Sequence, residues 1–188
     1  MATVLKDLAN TFMAAHPADA AVQALLDRQA IADCVHRYAR GMDRGDVEMV
    51  ASCYHPDAVD HHGSFVGPGR GLAEWAIRAQ GAASVRSQNH ITTHTVELDG
   101  DHAHGETYYV VVMRKASGEV NIATGRYVDR FERRDGEWRI AARLCLVESL
   151  AAAAAIDADR LDAGYRGARD GSDPSYLRPL VLPGDGAP

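Results

Sequence analysis

The chain has 188 residues, 46% hydrophobic and 24% charged, which is typical of one globular domain with its own core and unlike a disordered or fibrous protein. The formal net charge is −6 and the basic residues are scattered, which excludes the basic stripe of a nucleic-acid-binding protein. No apolar run approaches the roughly 20 residues needed to cross a bilayer, and the first residues lack the pattern of a signal peptide, so we expect a cytoplasmic protein that does not bind membranes.

The N-terminal part has the pattern of helices. We expect a short helix over 2–15 and a longer one over about 19–42, where apolar residues recur every three or four positions. The apolar positions of the longer helix are Val22, Leu25, Leu26, Ile31, Val35, Tyr38 and Met42. Glycines on both sides place Asp43 at the end of this helix, and Asp46 can cap a short helix that follows.

The rest of the chain has mainly the pattern of strands. An extended segment over 58–66, a helix over 72–79 and a polar loop over 86–89 are expected first. Runs rich in β-branched and aromatic residues then predict antiparallel strands at 90–98, 103–115, 120–133 and 138–148, joined by short turns that contain glycine. A terminal helix is expected over about 151–165.

These elements predict a single α+β domain over residues 1–166, with its core at about 20–150, followed by an irregular tail over 167–188. The tail contains several apolar residues, so we expect it to cover the pocket mouth or a neighbouring subunit. The three cysteines, Cys34, Cys53 and Cys145, are an odd number without a CxxC pair, and we interpret them as buried thiols.

Several motifs occur in a characteristic order: HRYARGMDRGD, YHPDAVDHHGSFVG, NHITTHTVELDGD, GRYVDRF and DGEWRI. Over residues 26–148 this series resembles the SnoaL-like branch of the nuclear transport factor two-like superfamily. The resemblance implies a cone-shaped, curved antiparallel sheet, with N-terminal helices closing an apolar pocket. It also implies a homo-oligomer, either a dimer or a trimer.

The resemblance further implies a catalytic pair. Asp43 and His90 fall where dehydratase and dehydrochlorinase members place an aspartate and its partner histidine. His90 would then remove a proton while Asp43 orients the imidazole, and Tyr38 would donate a hydrogen bond to an oxygen that gains charge. The alternative is that Tyr38 is a core residue, that Asp43 only ends a helix and that His90 is an ordinary strand residue.

Four more residues are predicted to contact the substrate: His94, Arg126, Tyr108 and His62. On a regular strand His94 shares a face with His90, whereas Arg126 is equally compatible with an ion pair. Residues 108 and 109 are both tyrosines and 61 and 62 both histidines, so one member of each pair should line the pocket. For Arg143 we expect a structural ion pair.

Motifs for metal ions, nucleotides and serine hydrolases do not occur in a fitting context, so we expect neither a metal nor a cofactor. The predicted function is that of a cofactor-independent lyase, which eliminates water or a comparable leaving group from a small hydrophobic hydroxylated substrate of aromatic, polyketide or steroid type. An isomerase of the ketosteroid type, a polyketide cyclase and a noncatalytic binding or assembly module are the alternatives.

Overall fold

The computed structural model describes residues 17–154 and 167–180. Its helices are α1 (Pro17–Arg44), α2 (Val47–Ala51) and α3 (Gly69–Ala83). Its strands are β1 (Tyr54–His62), β2 (Phe65–Pro68), β3 (Arg86–Asp99), β4 (His102–Arg114), β5 (Val120–Arg134) and β6 (Glu137–Ala153), and a 3₁₀ turn spans Pro174–Tyr176. Helices precede and interrupt a single sheet, so the predicted α+β class is confirmed.

The six strands form one curved, unclosed sheet in the order β2-β1-β6-β5-β4-β3. Neighbours pair antiparallel except β1 and β6, which are parallel, so the sheet is mixed and not wholly antiparallel as predicted. The parallel pair is possible because α3 and the β3–β6 meander bring the chain back to β1 in the same direction. Register shifts in β1, β3 and β5 provide the irregularities that bend such a sheet.

Helix α1 packs into the concave face of this sheet, as its pattern predicts, although only from its middle onward. Ile31, Val35, Tyr38 and Met42 are buried and belong to the main core. The predicted positions Val22, Leu25 and Leu26 are more than half exposed, so the buried face begins later than the spacing indicates. All three cysteines are free and buried, as expected.

Several strand boundaries differ from the sequence pattern. The segment 58–66 is divided by a turn at Gly63, whose φ of +66° favours glycine, and residues 86–89 begin β3 instead of forming a loop. Residues 151–153 continue β6, because they pair with 120–122 of β5, so the helix expected from 151 does not begin there. The remainder of that predicted helix, at 155–166, lies outside the described residues, as does the helix predicted at 2–15.

The hairpin predictions are confirmed by the backbone. Gly100, Gly118 and Gly136 have φ values of +59°, +89° and +81°, the left-handed conformation that tight hairpin turns require. In the described part of the chain, no helix combines the length and apolar character required for a transmembrane span.

Candidate functional site

A cavity of about 190 Å³ lies between α1, α3 and the concave face of the sheet. Its wall is mainly aromatic and aliphatic, with a few polar groups, which is the usual character of a small-molecule pocket. The lining residues are Tyr38, Met42, His62, Trp75, Ala76, Ala79, Gln80, Asn89, Tyr109, Val111, Met113, Ala123, Tyr127 and Val147.

A buried ion pair supports the floor of this cavity. Nε and Nη2 of Arg143 donate to Oδ1 and Oδ2 of Asp129, at 2.7 Å each, and both side chains are fully buried. The Arg143 guanidinium also lies 4.4 Å from the ring centre of Tyr38 and 4.0 Å from that of Tyr127. Arg143 is therefore the structural ion pair that the sequence predicted, and it fixes two rings of the cavity wall.

Tyr38 lines the cavity as predicted and is almost fully buried. Burial raises the pKa of its phenol well above the ordinary value, against the opposing effect of the Arg143 charge. The hydroxyl consequently stays protonated at neutral pH and keeps its ability to donate a hydrogen bond.

His62 is the imidazole of the cavity wall. Its Nδ1 lies 3.4 Å from Oδ1 of the fully buried Asp60, an ion-pair contact and not a well-aligned hydrogen bond, and Oδ2 of that carboxylate accepts from the Tyr54 hydroxyl at 2.6 Å. Burial by itself would lower the pKa of His62, but Asp60 and the Cys145 sulfur raise it to about 9. The ring is therefore an imidazolium at neutral pH. The prediction that one of the two adjacent histidines lines the pocket is met by His62, while His61 is exposed.

Asp43 lies at the end of α1, as predicted, and its partner is Asn89. Oδ1 of Asp43 accepts from the Asn89 backbone N–H at 2.8 Å and from the Asn89 side-chain amide at 2.7 Å. Burial raises the pKa of Asp43, and the two hydrogen bonds and the charges of Arg44 and His90 only partly offset this effect. Asn89 itself and Met42, the chain neighbour of Asp43, both line the cavity, so the carboxylate stands at its rim.

Asp43 and His90, the predicted catalytic pair, make no hydrogen bond or ion pair with each other in the part of the chain that the structure describes. His90 is exposed on β3, between the inward-facing Asn89 and Ile91. His94 does face inward, where its Nδ1 lies 2.8 Å from Oγ1 of Thr107. The two histidines lie on different faces because a register shift between 91 and 94 adds one residue to the strand, which reverses the alternation.

Two predicted substrate contacts also lie on the wrong face. Arg126 is on the convex side of β5, where it bonds Glu106 and Glu148 at 2.7 Å each, so the ion-pair interpretation is the correct one. Tyr108 is 41% exposed, whereas its neighbour Tyr109 is buried and lines the cavity. The sequence predicted that neighbouring residues of a strand face opposite sides of the sheet, but it did not predict which of the two faces the cavity.

Sequence reasoning missed Asn89 and the Asp60 that faces His62. The one available signal for Asn89 was its position immediately before His90, since a shift by one residue exchanges the two faces of a strand. Asp60 precedes His62 by two residues on β1, so strand alternation could have placed both side chains on one face.

A second depression, of about 540 Å³, lies between α1 and the turn that joins β5 to β6. Asp27 dominates it, accepting from Trp138 Nε1 at 2.9 Å and from Arg133 at 2.9 Å, and Arg133 also bonds Asp101. These charges are already paired with one another and anchor α1 to the sheet. The depression therefore offers few free groups to a ligand. Within residues 17–154 and 167–180, no group of three or more potential ligands converges as a metal site.

Residues 23–144 match the profile of a family described as the SnoaL-like domain. Among solved structures, the chain is similar to a protein of unknown function from Mycobacterium tuberculosis, with 31% identity, a TM-score of 0.62, and coverage of 73% of this chain and 79% of that one. Among curated proteins there is no match.

Two further solved structures share the fold at lower identity. One is a protein from Novosphingobium aromaticivorans assigned as a scytalone dehydratase, at 18% identity and a TM-score of 0.62, with 71% of this chain and 95% of that chain covered. The other is a hexachlorocyclohexane dehydrochlorinase from Novosphingobium barchaimii, at 20% identity and a TM-score of 0.65, with 72% and 95% covered.

Proposed function

The chain belongs to the SnoaL-like family, and on that premise we propose that it is a cofactor-independent lyase that eliminates water, or a comparable leaving group, from a small hydrophobic hydroxylated substrate. Two proteins with the same fold carry the names of a dehydratase and a dehydrochlorinase, which supports a role in processing small molecules. Names alone do not transfer a reaction between such distant chains, so the proposal depends on the groups in the cavity.

One observation carries the proposal: His62 lines an apolar cavity, and Asp43 stands at the rim of the same cavity. His62, an imidazolium at neutral pH, is on β1, and Asp43 is held by Asn89 of β3. In the sheet order three strands separate β1 from β3, so the two groups approach the cavity from different sides of the sheet. Active sites that use acid–base catalysis typically contain titratable groups whose pKa values are shifted by their surroundings.

The elimination assigns a balanced role to each group. The Asp43 carboxylate removes a proton from a carbon atom, the electron pair of that C–H bond forms the new double bond, and the neighbouring C–O bond breaks. His62 donates its proton to the departing hydroxyl, which leaves as water. Tyr38 donates a hydrogen bond to a substrate carbonyl oxygen that gains charge as the proton is removed.

The size of the cavity supports a small substrate. About 190 Å³ is below the ~300–1,000 Å³ of pockets that enclose drug-sized ligands. The stacked rings of Tyr109 and Tyr127, whose centres are 4.6 Å apart, add an aromatic wall. We therefore propose a hydroxylated compound with one ring, of aromatic or small polyketide type, in preference to a steroid.

The test uses 4-hydroxy-4-phenylbutan-2-one, because loss of water gives a conjugated enone that absorbs in the ultraviolet. We expect turnover by the wild-type chain and a loss of about 10²–10⁴-fold in kcat/KM for Asp43→Asn and for His62→Gln, the usual range for a missing acid or base. His90→Gln and His61→Gln, which change exposed imidazoles, should keep near wild-type rates. Retained activity in Asp43→Asn, or its loss in His90→Gln alone, would contradict the assignment.

An isomerase is the second candidate. In this reaction a single carboxylate shuttles the proton without the help of a histidine, and the partner of Asp43 is an amide and not a histidine. Cyclohex-3-en-1-one tests it, since movement of the double bond produces a conjugated ketone without a leaving group. An isomerase would convert this ketone, with Asp43→Asn inactive and His62→Gln active. A lyase would instead need His62 for the hydroxyketone. A noncatalytic module would leave both compounds unchanged.

A further inference from the structure

A line of buried polar contacts reaches His62 from behind the cavity wall. The Tyr54 hydroxyl lies 2.6 Å from Oδ2 of Asp60, and Nδ1 of His62 lies 3.4 Å from Oδ1 of the same carboxylate. Asp60 is fully buried and Tyr54 is almost fully buried. All three residues belong to β1, where alternation places positions 60 and 62 on the same face. The carboxylate therefore stands between the phenol and the imidazole.

The chemistry of these groups fixes the direction of each contact. A carboxylate oxygen only accepts, so the Tyr54 hydroxyl gives its proton to Asp60. Arg143 Nη1 lies 3.5 Å from the Tyr54 oxygen, and because a guanidinium only donates, the phenol oxygen is the acceptor there. Burial raises the pKa of Tyr54 well above its ordinary value, so the phenol keeps its proton at neutral pH. Oδ2 of Asp60 is thereby occupied, and Oδ1 is left for His62.

The ring of Tyr54 is held in place by three other elements. It packs against Gly69 at the start of α3, where a Cβ would overlap the ring. It meets the Tyr38 ring of α1 edge to face, with 6.2 Å between the ring centres, and the Arg143 guanidinium of β6 lies 5.8 Å from its own centre. A phenol that is packed from three sides keeps one direction, and so does the carboxylate that is bonded to it.

Nδ1 of His62 and Oδ1 of Asp60 are both buried, and within the described residues neither atom has a hydrogen-bond partner elsewhere. If Nδ1 carried no proton, two acceptor atoms would face each other at 3.4 Å and repel, whereas an N–H at this position is attracted to the carboxylate. In a neutral imidazole, the surroundings of the two nitrogens decide which one carries the hydrogen. Nδ1 is therefore the nitrogen that keeps its proton, and Nε2 is the one that gains and loses a proton.

We propose that Asp60, held by Tyr54, is a positioning residue that keeps a proton on Nδ1 of His62, so that the proton delivered in the elimination is the one on Nε2. In that step the Nε2–H bond breaks, its electron pair stays on the nitrogen, and the proton joins the departing hydroxyl to form water. His62 is left neutral, with Nδ1–H facing Asp60. Exchange with solvent then returns a proton to Nε2. The inference rests on the proposed role of His62 as the acid, but its first test does not require turnover.

Other groups also face the His62 ring and enter the design of the test. Burial lowers the pKa of His62, while Asp60 and the Cys145 sulfur of β6 raise it. The rings of Tyr127 on β5 and Trp75 on α3 lie with their centres 6.0 Å and 6.3 Å from the imidazole. Of these groups, the Cys145 sulfur is the rival acceptor for a ring N–H, so it is tested separately.

The first measurement is a ¹⁵N NMR titration of the His62 ring nitrogens in the wild-type chain, assigned by their loss in His62→Gln. Bare and protonated ring nitrogens have distinct chemical shifts, so the spectrum of the neutral ring identifies its tautomer. About one pH unit above the midpoint, where the ring is mostly neutral, we expect a protonated Nδ1 and a bare Nε2. A neutral ring with a bare Nδ1 and a protonated Nε2 would overturn the inference.

Two variants of similar shape should move the His62 midpoint in opposite directions. Asp60→Asn removes the negative charge, so the midpoint should fall by at least about one pH unit, because burial is then opposed less. Tyr54→Phe removes the donor that draws charge from the carboxylate, so the midpoint should rise by about half a pH unit. A general loosening of the core would instead lower the midpoint in both variants, and a fall in Tyr54→Phe therefore contradicts the inference.

Two further variants serve as controls in the same titration. Asp57→Asn changes an exposed carboxylate on the same strand and should keep the wild-type midpoint. Cys145→Ala should lower the midpoint and still leave the proton of the neutral ring on Nδ1. If the proton moves to Nε2 in Cys145→Ala, the sulfur and not Asp60 fixes the tautomer, and the inference is wrong.

The second measurement separates this inference from the proposed lyase. If 4-hydroxy-4-phenylbutan-2-one is turned over, the basic limb of its kcat/KM profile should move to lower pH in Asp60→Asn by the same amount as the NMR midpoint. If no variant and not even the wild type turns it over while the tautomer and the opposite shifts are found, the lyase proposal fails and the positioning role of Asp60 stands. If the compound is turned over but the neutral ring carries its proton on Nε2, the lyase proposal stands and this inference fails.

Discussion

At the scale of single residues, His62 links the site to the stability of the fold. Its pKa of about 9 lies above the ordinary value of 6.5, so binding of its proton favours the folded state. This stabilisation is complete below pH 6.5 and is lost as the pH rises through 9. We expect the wild type to lose about 2–3 kcal/mol of unfolding free energy over this interval relative to His62→Gln. Urea unfolding at several pH values measures it, His61→Gln serves as the control, and parallel profiles would contradict the expectation.

Asn89 sets the protonation of Asp43 through two hydrogen bonds to one oxygen. Asn89→Ala removes the side-chain donor and leaves the backbone donor, so the pKa of Asp43 should rise further and the acidic limb of the activity profile should move to higher pH. Gln88→Ala, an exposed neighbour on the same strand, should leave the profile unchanged. An unshifted limb in Asn89→Ala would mean that Asp43 is not the group that titrates.

The sequence predicted the helix-end position of Asp43, the inward Tyr38 and the Arg143 ion pair, because these depend on helix periodicity and on charge. It did not predict which residues of β3 and β4 face inward. One added residue between 91 and 94 reverses the faces, so His90 and Asn89 exchange their expected places. A register shift arises from pairing with distant strands, and the local pattern does not encode it.

At the scale of elements, Gly125 allows β5 and β6 to meet at a register shift beside the cavity. A Cβ at this position would overlap the Leu146 carbonyl and the Tyr109 hydroxyl. We expect Gly125→Ala to lower the unfolding free energy by at least about 1–3 kcal/mol, the usual cost of overpacking, and to displace Tyr109 from the cavity wall.

Gly81 provides the comparison, because it lies within α3 and a Cβ there would meet nothing within 4 Å. Gly81→Ala should stabilise the protein slightly, since alanine is the better helix former. Thermal unfolding of the two variants measures the difference. Equal melting temperatures would show that the backbone at 125 can move aside.

Element types followed from the sequence more reliably than element ends. The residue pattern identified the long helix and all four strands of the meander. The alanine run from 151 has high helix propensity, yet 151–153 extend β6 because the edge of β5 offers unpaired backbone groups there. Pairing across the sheet overrides local propensity at such positions.

At the scale of the whole molecule, α1 must stay fixed on the sheet for the cavity to exist. Trp138 Nε1 donates to the nearly buried Asp27, which also holds Arg133. Trp138→Phe removes this donor and keeps an aromatic ring, and we expect it to cost about 1–3 kcal/mol, because a buried acceptor loses one partner. Urea unfolding measures the cost, and Trp75→Phe, which keeps the wall of the cavity aromatic, controls for the loss of an indole. If Trp138→Phe had the same unfolding free energy as the wild type, Arg133 alone would anchor the helix.

The expected assembly into a dimer or trimer stays a prediction. Tyr108 on β4 and Leu144 on β6 expose apolar side chains on the face of the sheet opposite the cavity, which is the surface that we expect a second copy to cover. Sedimentation velocity on the full chain measures the assembly state, and a monomer at micromolar concentration would contradict the expectation.

The parallel junction between β1 and β6 also constrains how the chain acquires its pocket. Tyr54 pairs with Ile140, so the strand that bears His62 gains its inner neighbour only once the last strand of the meander has been made. Closing the long loop between β1 and β6 costs conformational entropy before the contacts between these strands offset that cost. Chains with such distant strand pairings fold slowly. During synthesis on the ribosome, the helices and first hairpins are available long before β1 and β6 can pair.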